Sequence, residues 1–290
     1  MRFSEIYKQG KSEGRAVLSL EFFPPKDEAA LSSTLALVDE LAKLGPDFMT
    51  VTYGAGGGAR NFSREIVRHI AEHLRRIAVQ HITCIGRSRA DIANVLSDLE
   101  KLGIRHILAL RGDLPKGVKT WPGPSEISGS VELTEFAAKQ HGFSVAVAGY
   151  PETHKDAPSP QSDLDHLKRK LDAGAEVVFT QLFFDPKVYF NFIDRCRNAG
   201  IAVPIVPGIM PIGSISQIKR FTDMCGASIP AALADSLAKL EAKPDEVVKF
   251  GTDYAIKLCE QLIENGAPGI HLYTLNKSTQ ARAIIQALAR

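Results

Sequence analysis

A glutamate stands near the end of an apolar run close to the start of the chain, in the segment LSLEFFPPK at residues 18–26. An ionised carboxylate is costly to bury, so a glutamate in such a run is normally paired with a cation, protonated or used in chemistry. Burial disfavours the ionised form of a carboxyl group, and one that keeps its proton near neutral pH is suited to general acid catalysis. Glu21 is therefore the first candidate catalytic residue, and a structural ion pair is the alternative.

Polar residues also lie in or just after most other strand-like runs: Thr52, His81, Arg111, Asp113, Tyr150, Gln181 and Tyr273. Side chains alternate along a strand, so Ser19 shares a face with Glu21, and His271 shares one with Tyr273. In a parallel barrel the carboxyl ends of the strands build the active site. The recurrence of polar residues at these ends therefore predicts a binding cavity.

Each of these residues has a simpler interpretation when it is taken alone. Arg111 and Asp113 could form an ion pair at a strand end, His81 could be a satisfied core histidine, and Gln181 could cap a neighbouring backbone group. The prediction of a cavity therefore depends on how many strands end in a polar residue, and not on any one of them.

The stretch after the fifth strand-like run carries a second group of candidates. His154 lies in the loop, and the following helix presents Asp163, His166 and Lys170 on one side, at i, i+3 and i+7. Arg169 and Lys170 could hold a phosphorylated cofactor, because cations pair strongly with phosphate oxygens. A solvated charged helix is the alternative interpretation.

Two short motifs point to other chemistry. HIAEH at 69–73 has the spacing that puts two imidazoles on one helical face, but its helix is otherwise charged and no third ligand is suggested, so we predict no metal. GAGGGAR at 54–60 satisfies GxGxxA and favours an open, doubly wound sheet as the alternative fold. The next strand, however, ends without the acidic residue of a dinucleotide site, so a glycine-rich active-site loop is the preferred interpretation.

The elements that must position these residues alternate along the whole chain. Strand-like apolar runs occupy residues 16–23, 47–53, 77–85, 105–111, 143–150, 175–184, 203–209 and 269–275. Helical patterns occupy residues 27–44, 61–76, 89–102, 132–141, 161–173, 186–199, 214–223 and 276–289, with an extra pair at 230–240 and 244–265. Eight strand–helix units predict an α/β protein with a (β/α)8 barrel, an N-terminal arm and extra helices before the last strand. We expect residues 1–290 to form one domain.

Composition excludes several classes of protein. The chain has 290 residues and a formal net charge of +2, without a basic run, which argues against nucleic-acid binding. Its four cysteines are scattered, which argues against a disulfide framework or a structural zinc site. The polar N-terminus lacks the apolar core of a signal peptide, and no apolar run approaches the roughly 20 residues that span a bilayer. We therefore predict a cytoplasmic protein that does not bind membranes.

Several long blocks, in order, resemble the methylenetetrahydrofolate reductase family of the bacterial type that has only the catalytic domain. They include SLEFFPPK, FMTVTYGAGG, GIRHILALRGDLPKG, VAGYPETH, DLDHLKRKLDAGAEVVFTQLFFD, VPIVPGIMPI and HLYTLNKS. The likeness runs from about residue 15 to 289 and independently implies the barrel. It implies an oxidoreductase of one-carbon metabolism, with NADH or NADPH as hydride donor and noncovalent FAD, that converts 5,10-methylenetetrahydrofolate to 5-methyltetrahydrofolate by ping-pong kinetics. It also implies a homo-oligomer, a dimer or tetramer.

The resemblance also implies roles for individual residues. Glu21 would protonate N10 of the folate, and Asp113 would tune the flavin and orient the folate. Gln181 and Asp113 would bind the pterin, Phe221 would stack on the bound substrate, and Lys277 stands where relatives commonly have arginine. The flavin contacts would be Thr52, His81, Arg111, Gly112, Asp113, Tyr150, His154, Ala157, Asp163, Arg169 and Lys170.

Two other functions remain open from the sequence. A reductase could pass hydride directly from nicotinamide to folate without a flavin, and a barrel could bind folate or flavin without catalysis. The expected flavin contacts argue against the first. The joint presence of Glu21, Asp113 and Gln181 argues against the second.

Overall fold

Parallel strands alternate with helices along the chain in the computed structural model, which describes residues 1–53, 57–114, 121, 123 and 125–289, without the side chains of 57–60. The strands are β1 (Val17–Phe22), β2 (Phe48–Val51), β3 (Ile77–Thr83), β4 (His106–Leu110), β5 (Ser144–Gly149), β6 (Ala175–Thr180), β7 (Ile205–Val206), β8 (Gly208–Ile209) and β9 (Gly269–Tyr273). All of their pairings are parallel, and each of β1 to β6 neighbours the next strand along the chain. The predicted α/β barrel is confirmed.

The barrel closes through a strand that is divided in two. β7 pairs with β6, β8 pairs with β9, and β9 pairs in turn with β1. Pro207 separates β7 from β8, and its carbonyl oxygen accepts a hydrogen bond from the His271 amide at 3.0 Å. Because proline has no N–H group, it cannot donate to a ladder, which explains why the predicted run 203–209 appears as two short strands.

Most of the helices lie on the outside of the barrel. They are α1 (Phe3–Ser12), α2 (Leu31–Ala42), α3 (Gly57–Arg68), α4 (Arg89–Lys101), α5 (Ser130–Glu135), α6 (Pro160–Asp172), α7 (Pro186–Asn198), α8 (Ile215–Cys225), α9 (Ala231–Ala238), α10 (Pro244–Glu264) and α11 (Ser278–Leu288). Turns of π-helix extend α3 over His69–His73 and α5 over Phe136–Gln140. The extra helices predicted before the last strand are α9 and α10.

The N-terminal arm is a helix with a structural role, which its polar composition concealed. Phe3, Ile6 and Tyr7 on α1 are buried with side chains from inside the barrel. The Phe3 ring packs edge-on against Phe48 and Phe179 at centroid distances of 5.5 and 5.9 Å. The i, i+3, i+4 spacing of these three residues is the signal of a one-sided helix. α1 thus fills the end of the barrel that the amino ends of the strands surround.

One predicted strand is shorter than its apolar run suggested. The run at 175–184 continues through Leu182, Phe183 and Phe184, but β6 ends at Thr180. The three apolar residues are buried beyond the strand, where Leu182 and Phe184 pack with α8 to α10. An apolar run reports burial and not backbone conformation, so its end does not mark the end of a strand.

The structure describes only one of the two short motifs, HIAEH, completely. His69 of HIAEH pairs with Asp39, Nε2 to Oδ1, at 2.6 Å, and its ring stacks on that of His73. Across the described part of the chain, three or more histidine, cysteine or acidic residues nowhere group as a metal site requires. Residues 54–56 of the glycine-rich motif lie outside the described residues, and its last four residues begin α3. The all-parallel, nearly closed order of strands, whose two end strands β7 and β8 are separated only by Pro207, excludes the open-sheet alternative.

Candidate functional site

Glu21 lies at the carboxyl end of β1 between two imidazole rings. Its carboxyl group is buried, with 6% of the residue exposed. Its Oε2 atom lies 3.2 Å from Nε2 of His271 and 3.5 Å from Nε2 of His81. His271 in turn bonds through Nδ1 to the Ser19 hydroxyl at 2.8 Å, and His81 bonds to the Thr50 hydroxyl at 3.2 Å. We call these five residues the Glu21 cluster.

The partners of Glu21 bear on the alternative of a structural ion pair. Burial lowers the pKa of His81 to about 4; the Glu21 charge opposes this shift and His271 adds to it. His81 is therefore neutral near pH 7. Both partners are imidazoles and not the permanent cations, lysine or arginine, that a structural ion pair would use. Among the described residues, Glu21 thus contacts two imidazoles and forms no ion pair with lysine or arginine.

The His271 ring is fixed on both sides by aromatic contacts. It stacks on Phe179 at a centroid distance of 4.6 Å with 9° between the planes, and meets Tyr273 edge-on at 5.3 Å. The Tyr273 hydroxyl donates to the Thr180 carbonyl at 2.8 Å. Burial raises the pKa of Tyr273 well above its ordinary value, so the phenol keeps its proton. These contacts hold the imidazole in one orientation toward Glu21.

A second group of predicted residues gathers around the end of β5 and the start of α6. The rings of Tyr150 and His154 meet edge-on at 4.5 Å, and the His154 amide donates to Asp163 at 3.0 Å. Lys170 is 4% exposed, and its Nζ donates to the Ala148 carbonyl at 2.8 Å. Burial lowers the pKa of Lys170 to about 8, although Asp163 opposes the shift. The interpretation of α6 as a solvated helix is therefore wrong for Lys170.

The remaining cations of this group are more accessible. Arg169 is exposed and contacts Nδ1 of His166 at 3.0 Å. Burial, together with the neighbouring Lys170 and Arg169, lowers the pKa of His166 to about 4, so its ring is neutral. The backbone amide of Ala157 donates to the His154 carbonyl at 2.8 Å and closes the loop that joins β5 to α6.

The loop after β4 contributes Arg111, Gly112 and Asp113. Arg111 Nη2 lies 3.2 Å from Oδ2 of Asp156, so Arg111 pairs with Asp156 and the suggested strand-end pair with Asp113 is not formed. Asp113 is exposed, yet its charge reaches Tyr150, whose pKa is raised to about 12 by burial, then by Asp163 and Asp113. Gly112 has φ +91°, and a Cβ there would lie 2.9 Å from Ile85 Cγ2. Only glycine fits this close turn.

Arg87, which the sequence reasoning did not single out, lies beside this loop. Its guanidinium group stacks over the Tyr53 ring at 4.7 Å, and the residue is 9% exposed. Among the described residues its Nη1 has no hydrogen-bond partner. Thr52 precedes Tyr53 and is half-buried at the end of β2. Within the described part of the chain, this edge of the site therefore holds a buried cation whose Nη1 atom makes no hydrogen bond.

The predicted substrate residues lie on the opposite side. Gln181 is half-buried after β6, and its Oε1 accepts from the Leu182 amide at 2.9 Å, so it does cap a neighbouring backbone group. It lines a narrow cleft together with Tyr150 and Cys225. Phe221 on α8 is half-buried with the Arg220 guanidinium over its ring at 5.1 Å.

Lys277 is exposed at the start of α11, and its Nζ reaches Gly213, where a Cβ would lie 3.2 Å from it. Tyr273 lies near both Glu21 and Tyr150. After burial, the nearby Glu21 and Tyr150 are the next largest causes of the raised Tyr273 pKa.

The loop after β9 supplies two residues that the sequence reasoning missed. The Thr274 hydroxyl donates to the Glu21 carbonyl at 2.7 Å. The Asn276 side chain donates through Nδ2 to the Phe23 carbonyl at 2.8 Å and accepts from the Phe23 amide at 3.0 Å. Ser19 and His271 were recognised only as sharing faces with Glu21 and Tyr273, and that alternation was the one available signal for them.

Comparison with known proteins identifies the family of this chain. A family model described as methylenetetrahydrofolate reductase matches residues 6–289. The chain belongs to the methylenetetrahydrofolate reductase family. It is therefore an oxidoreductase of folate one-carbon metabolism that reduces methylenetetrahydrofolate, as the resemblance implied.

The relatives cover the chain almost completely. The 5,10-methylenetetrahydrofolate reductase of Escherichia coli (strain K12) is 38% identical over 276 residues, which span 95% of this chain and 92% of the relative. A probable methylenetetrahydrofolate reductase (NADH) of Oryza sativa subsp. japonica is 33% identical over 99% of this chain, which spans 50% of that longer protein.

Solved structures reproduce the fold at low sequence identity. A protein from Clostridium thermocellum, described as binding two copies of 5-methyl-5,6,7,8-tetrahydrofolic acid, superposes with a TM-score of 0.65 at 14% identity over 97% of both chains. A protein from Aquifex aeolicus VF5 superposes with a TM-score of 0.56 at 11% identity, over 99% of this chain and 96% of that one. In the described residues, no helix has the length and apolar character required to cross a membrane.

Proposed function

We propose that this methylenetetrahydrofolate reductase works through noncovalently held FAD, with NADH or NADPH as hydride donor, in a ping-pong cycle that yields 5-methyltetrahydrofolate. In this proposal Glu21 is the general acid that protonates N10 of the folate. The observation that carries the proposal is the buried Glu21 carboxyl group between His81, which is neutral, and His271.

The residues around β2 to β5 suit a dinucleotide with a charged pyrophosphate. Arg111 and Arg169 are accessible cations, and the buried Arg87 keeps an N–H group without a partner among the described residues. Gly112 has no Cβ, so a bound group can come close to its backbone. We propose that FAD is held by Thr52, His81, Arg111, Gly112, Asp113, Tyr150, His154, Ala157, Asp163, Arg169 and Lys170. When bound, FAD accepts hydride from the nicotinamide and delivers it to the folate.

The role of Glu21 follows from the folate chemistry. Proton transfer from Glu21 to N10 breaks the bond between N10 and the bridging carbon and leaves an iminium at N5, which hydride then converts to the N5 methyl group. A proton donor must lie within hydrogen-bond reach and be held in position. His271 and Ser19 form a buried hydrogen-bonded chain behind the carboxyl group, which helps to hold it in position.

The other residues bind and orient the substrates. We propose that Asp113 orients the folate and tunes the cofactor, that Gln181 hydrogen-bonds the pterin, and that Phe221 stacks on the bound substrate. Lys277 supplies a positive charge near Gly213 and the start of α8. We also propose that the whole chain acts as one catalytic domain, in a dimer or tetramer.

A visible absorption spectrum of the purified protein tests the proposal. Flavin bands that bleach under anaerobic NADH or NADPH and return with methylenetetrahydrofolate are the expected result. A colourless protein that oxidises NADH with folate would leave a reductase without flavin, and a yellow protein that neither nucleotide bleaches would leave a binding module. Either of these two results overturns the cofactor proposal.

A further inference from the structure

Beyond Glu21, the backbone of β1 leads into a segment that lacks the regular hydrogen bonds of the sheet. Pro24 and Pro25 follow Phe23 directly, and neither has an N–H group to donate. The ladder between β1 and β9 ends at the pair Glu21–Tyr273. The peptide groups at Phe23 therefore depend on partners outside the regular ladder, and buried peptide groups without partners are costly.

Asn276 supplies those partners with its side chain. Its amide group accepts from the Phe23 N–H and donates to the Phe23 carbonyl, at 3.0 and 2.8 Å, as a strand residue would do with its backbone. Thr274 binds two residues earlier on the same strand, since its amide and its hydroxyl both donate to the Glu21 carbonyl, at 3.2 and 2.7 Å. Thr274 and Asn276, from the loop after β9, thus continue the contacts with β1 as far as Phe23.

The loop that presents Asn276 has an unusual backbone. Leu275 and Asn276 have φ values of +50° and +53°, in the left-handed region that residues other than glycine rarely adopt. Asparagine is among the residues that tolerate this region best, whereas leucine is not. Backbone of this kind persists only where the surroundings determine it, and it occurs preferentially at functional sites. Here it turns the chain so that the Asn276 amide faces Phe23.

We propose that Asn276 is a positioning residue that sets the Glu21 carboxyl group for proton transfer to the folate. The inference rests on the proposed role of Glu21 as general acid. Glu21 is separated from Phe23 by a single residue, so a shift of the Phe23 peptide groups changes the direction of β1 at the carboxylate. The Oε2 contacts with His271 and His81, at 3.2 and 3.5 Å, leave little room for such a change.

Two variants separate the side chain from the strained backbone. Asn276→Gly removes the amide and keeps a residue that adopts positive φ without cost. Asn276→Asp keeps the shape and removes the N–H donor to the Phe23 carbonyl. Asn265→Gly is the control, because Asn265 also donates through Nδ2 to a backbone carbonyl, that of Gln261, but at the exposed end of α10.

The measurement compares the two half-reactions of each variant. NAD(P)H oxidation with ferricyanide as artificial acceptor reports the first, and turnover with saturating methylenetetrahydrofolate reports the second. For Asn276→Gly and Asn276→Asp we expect kcat with folate to fall at least about tenfold, since small misplacements of a reacting group have effects of this size. We expect the ferricyanide rate to be retained and the pH profile of folate reduction to move. Asn265→Gly should match the parent protein in folate turnover, in the ferricyanide rate and in the pH profile.

The outcomes distinguish this inference from the proposal beneath it. Unchanged folate turnover in Asn276→Gly overturns the positioning role. An equal loss of both half-reactions, together with a lower melting temperature, overturns it too, because that is the behaviour of a purely structural residue. Glu21→Gln in parallel tests the acid itself: if that variant still reduces folate, the proposed function fails, whatever Asn276→Gly does.

Discussion

Nε2 of His271 lies 3.2 Å from Oε2 of Glu21, although the two residues are 250 positions apart in the sequence. The contact is possible because β1 pairs with β9, the last strand of the barrel. The first and last strands thus jointly surround the carboxyl group that we propose as the general acid.

Replacing Glu21 by glutamine should separate the two half-reactions. The amide has the shape of the carboxyl group but no transferable proton, so folate reduction should fall by about 100- to 10,000-fold, the usual contribution of general acid–base catalysis. Stopped-flow measurement of NAD(P)H oxidation should show that the first half-reaction is largely retained. Glu72→Gln, at an exposed position on the π-helical turn after α3, is the charge-matched control. Equal loss in both half-reactions would contradict the assigned role.

His271→Phe should slow folate reduction without unfolding the barrel. Phenylalanine can keep the stack on Phe179 but lacks both ring nitrogens, so the link between Glu21 and Ser19 is broken. We expect folate turnover to drop and its pH dependence to change, as measured by steady-state assays across pH. Ser19→Ala should have a smaller effect in the same direction. An unaltered pH profile in both variants would mean that this chain does not affect the Glu21 carboxyl group.

Acidification should destabilise the protein in the range set by its buried histidines. Burial lowers the pKa of His106 from 6.5 to about 4, so the unfolded state binds a proton more readily than the folded state. Stability contributed by the neutral ring is therefore present above pH 6.5 and is lost as the pH falls from 6.5 toward 4. His81, whose pKa burial also lowers, should likewise lose its contribution to stability as the pH falls.

The difference between 6.5 and about 4 at His106 corresponds to roughly 3 kcal/mol, at about 1.4 kcal/mol per pKa unit. Thermal unfolding of His106→Gln and of the parent protein at several pH values checks this. The melting temperature of the variant should depend less steeply on pH between 6.5 and 4. Parallel curves would show that His106 does not contribute to the acid sensitivity.

Phe3→Ala should destabilise the protein strongly, although Phe3 is close to the start of the chain. The Phe3 side chain is fully buried against Phe48 and Phe179, and removal of a buried aromatic side chain costs about 3–5 kcal/mol. Urea unfolding should show this loss, while Lys8→Ala, on the exposed side of α1, should leave the free energy of unfolding nearly unchanged. Similar midpoints for the two variants would mean that α1 does not stabilise the barrel.

Local patterns in the sequence predicted much of the fold. The apolar runs and the helical patterns between them gave eight strand–helix units, and the extra pair of helices before the last strand was placed correctly. The role of α1 was missed because its composition is polar, although Phe3, Ile6 and Tyr7 carry the helical spacing. The break at Pro207 was missed because a proline in an apolar run does not report where the ladder stops.

The candidate site was only partly predictable. The alternation of side chains along β1 and β9 put Ser19 with Glu21 and His271 with Tyr273, but it could not tell which faces meet. The hydrogen bonds from Asn276 to Phe23 join residues 253 positions apart and follow no local pattern. Arg87 over Tyr53 likewise depends on how two adjacent strand ends are placed in space.

The pairing of β1 with β9 has a consequence for biosynthesis. A ribosome releases the chain from its N-terminus, and residues 17–21 leave the tunnel long before their partners at 269–273 exist. Contacts so distant in sequence form late and slowly. Until the final strand emerges, the Glu21 carboxyl group stays in water and β1 keeps one bare edge that is open to aggregation. We therefore expect nascent chains that stop before residue 269 to need chaperone protection, and the acid to acquire its environment as the last event of folding.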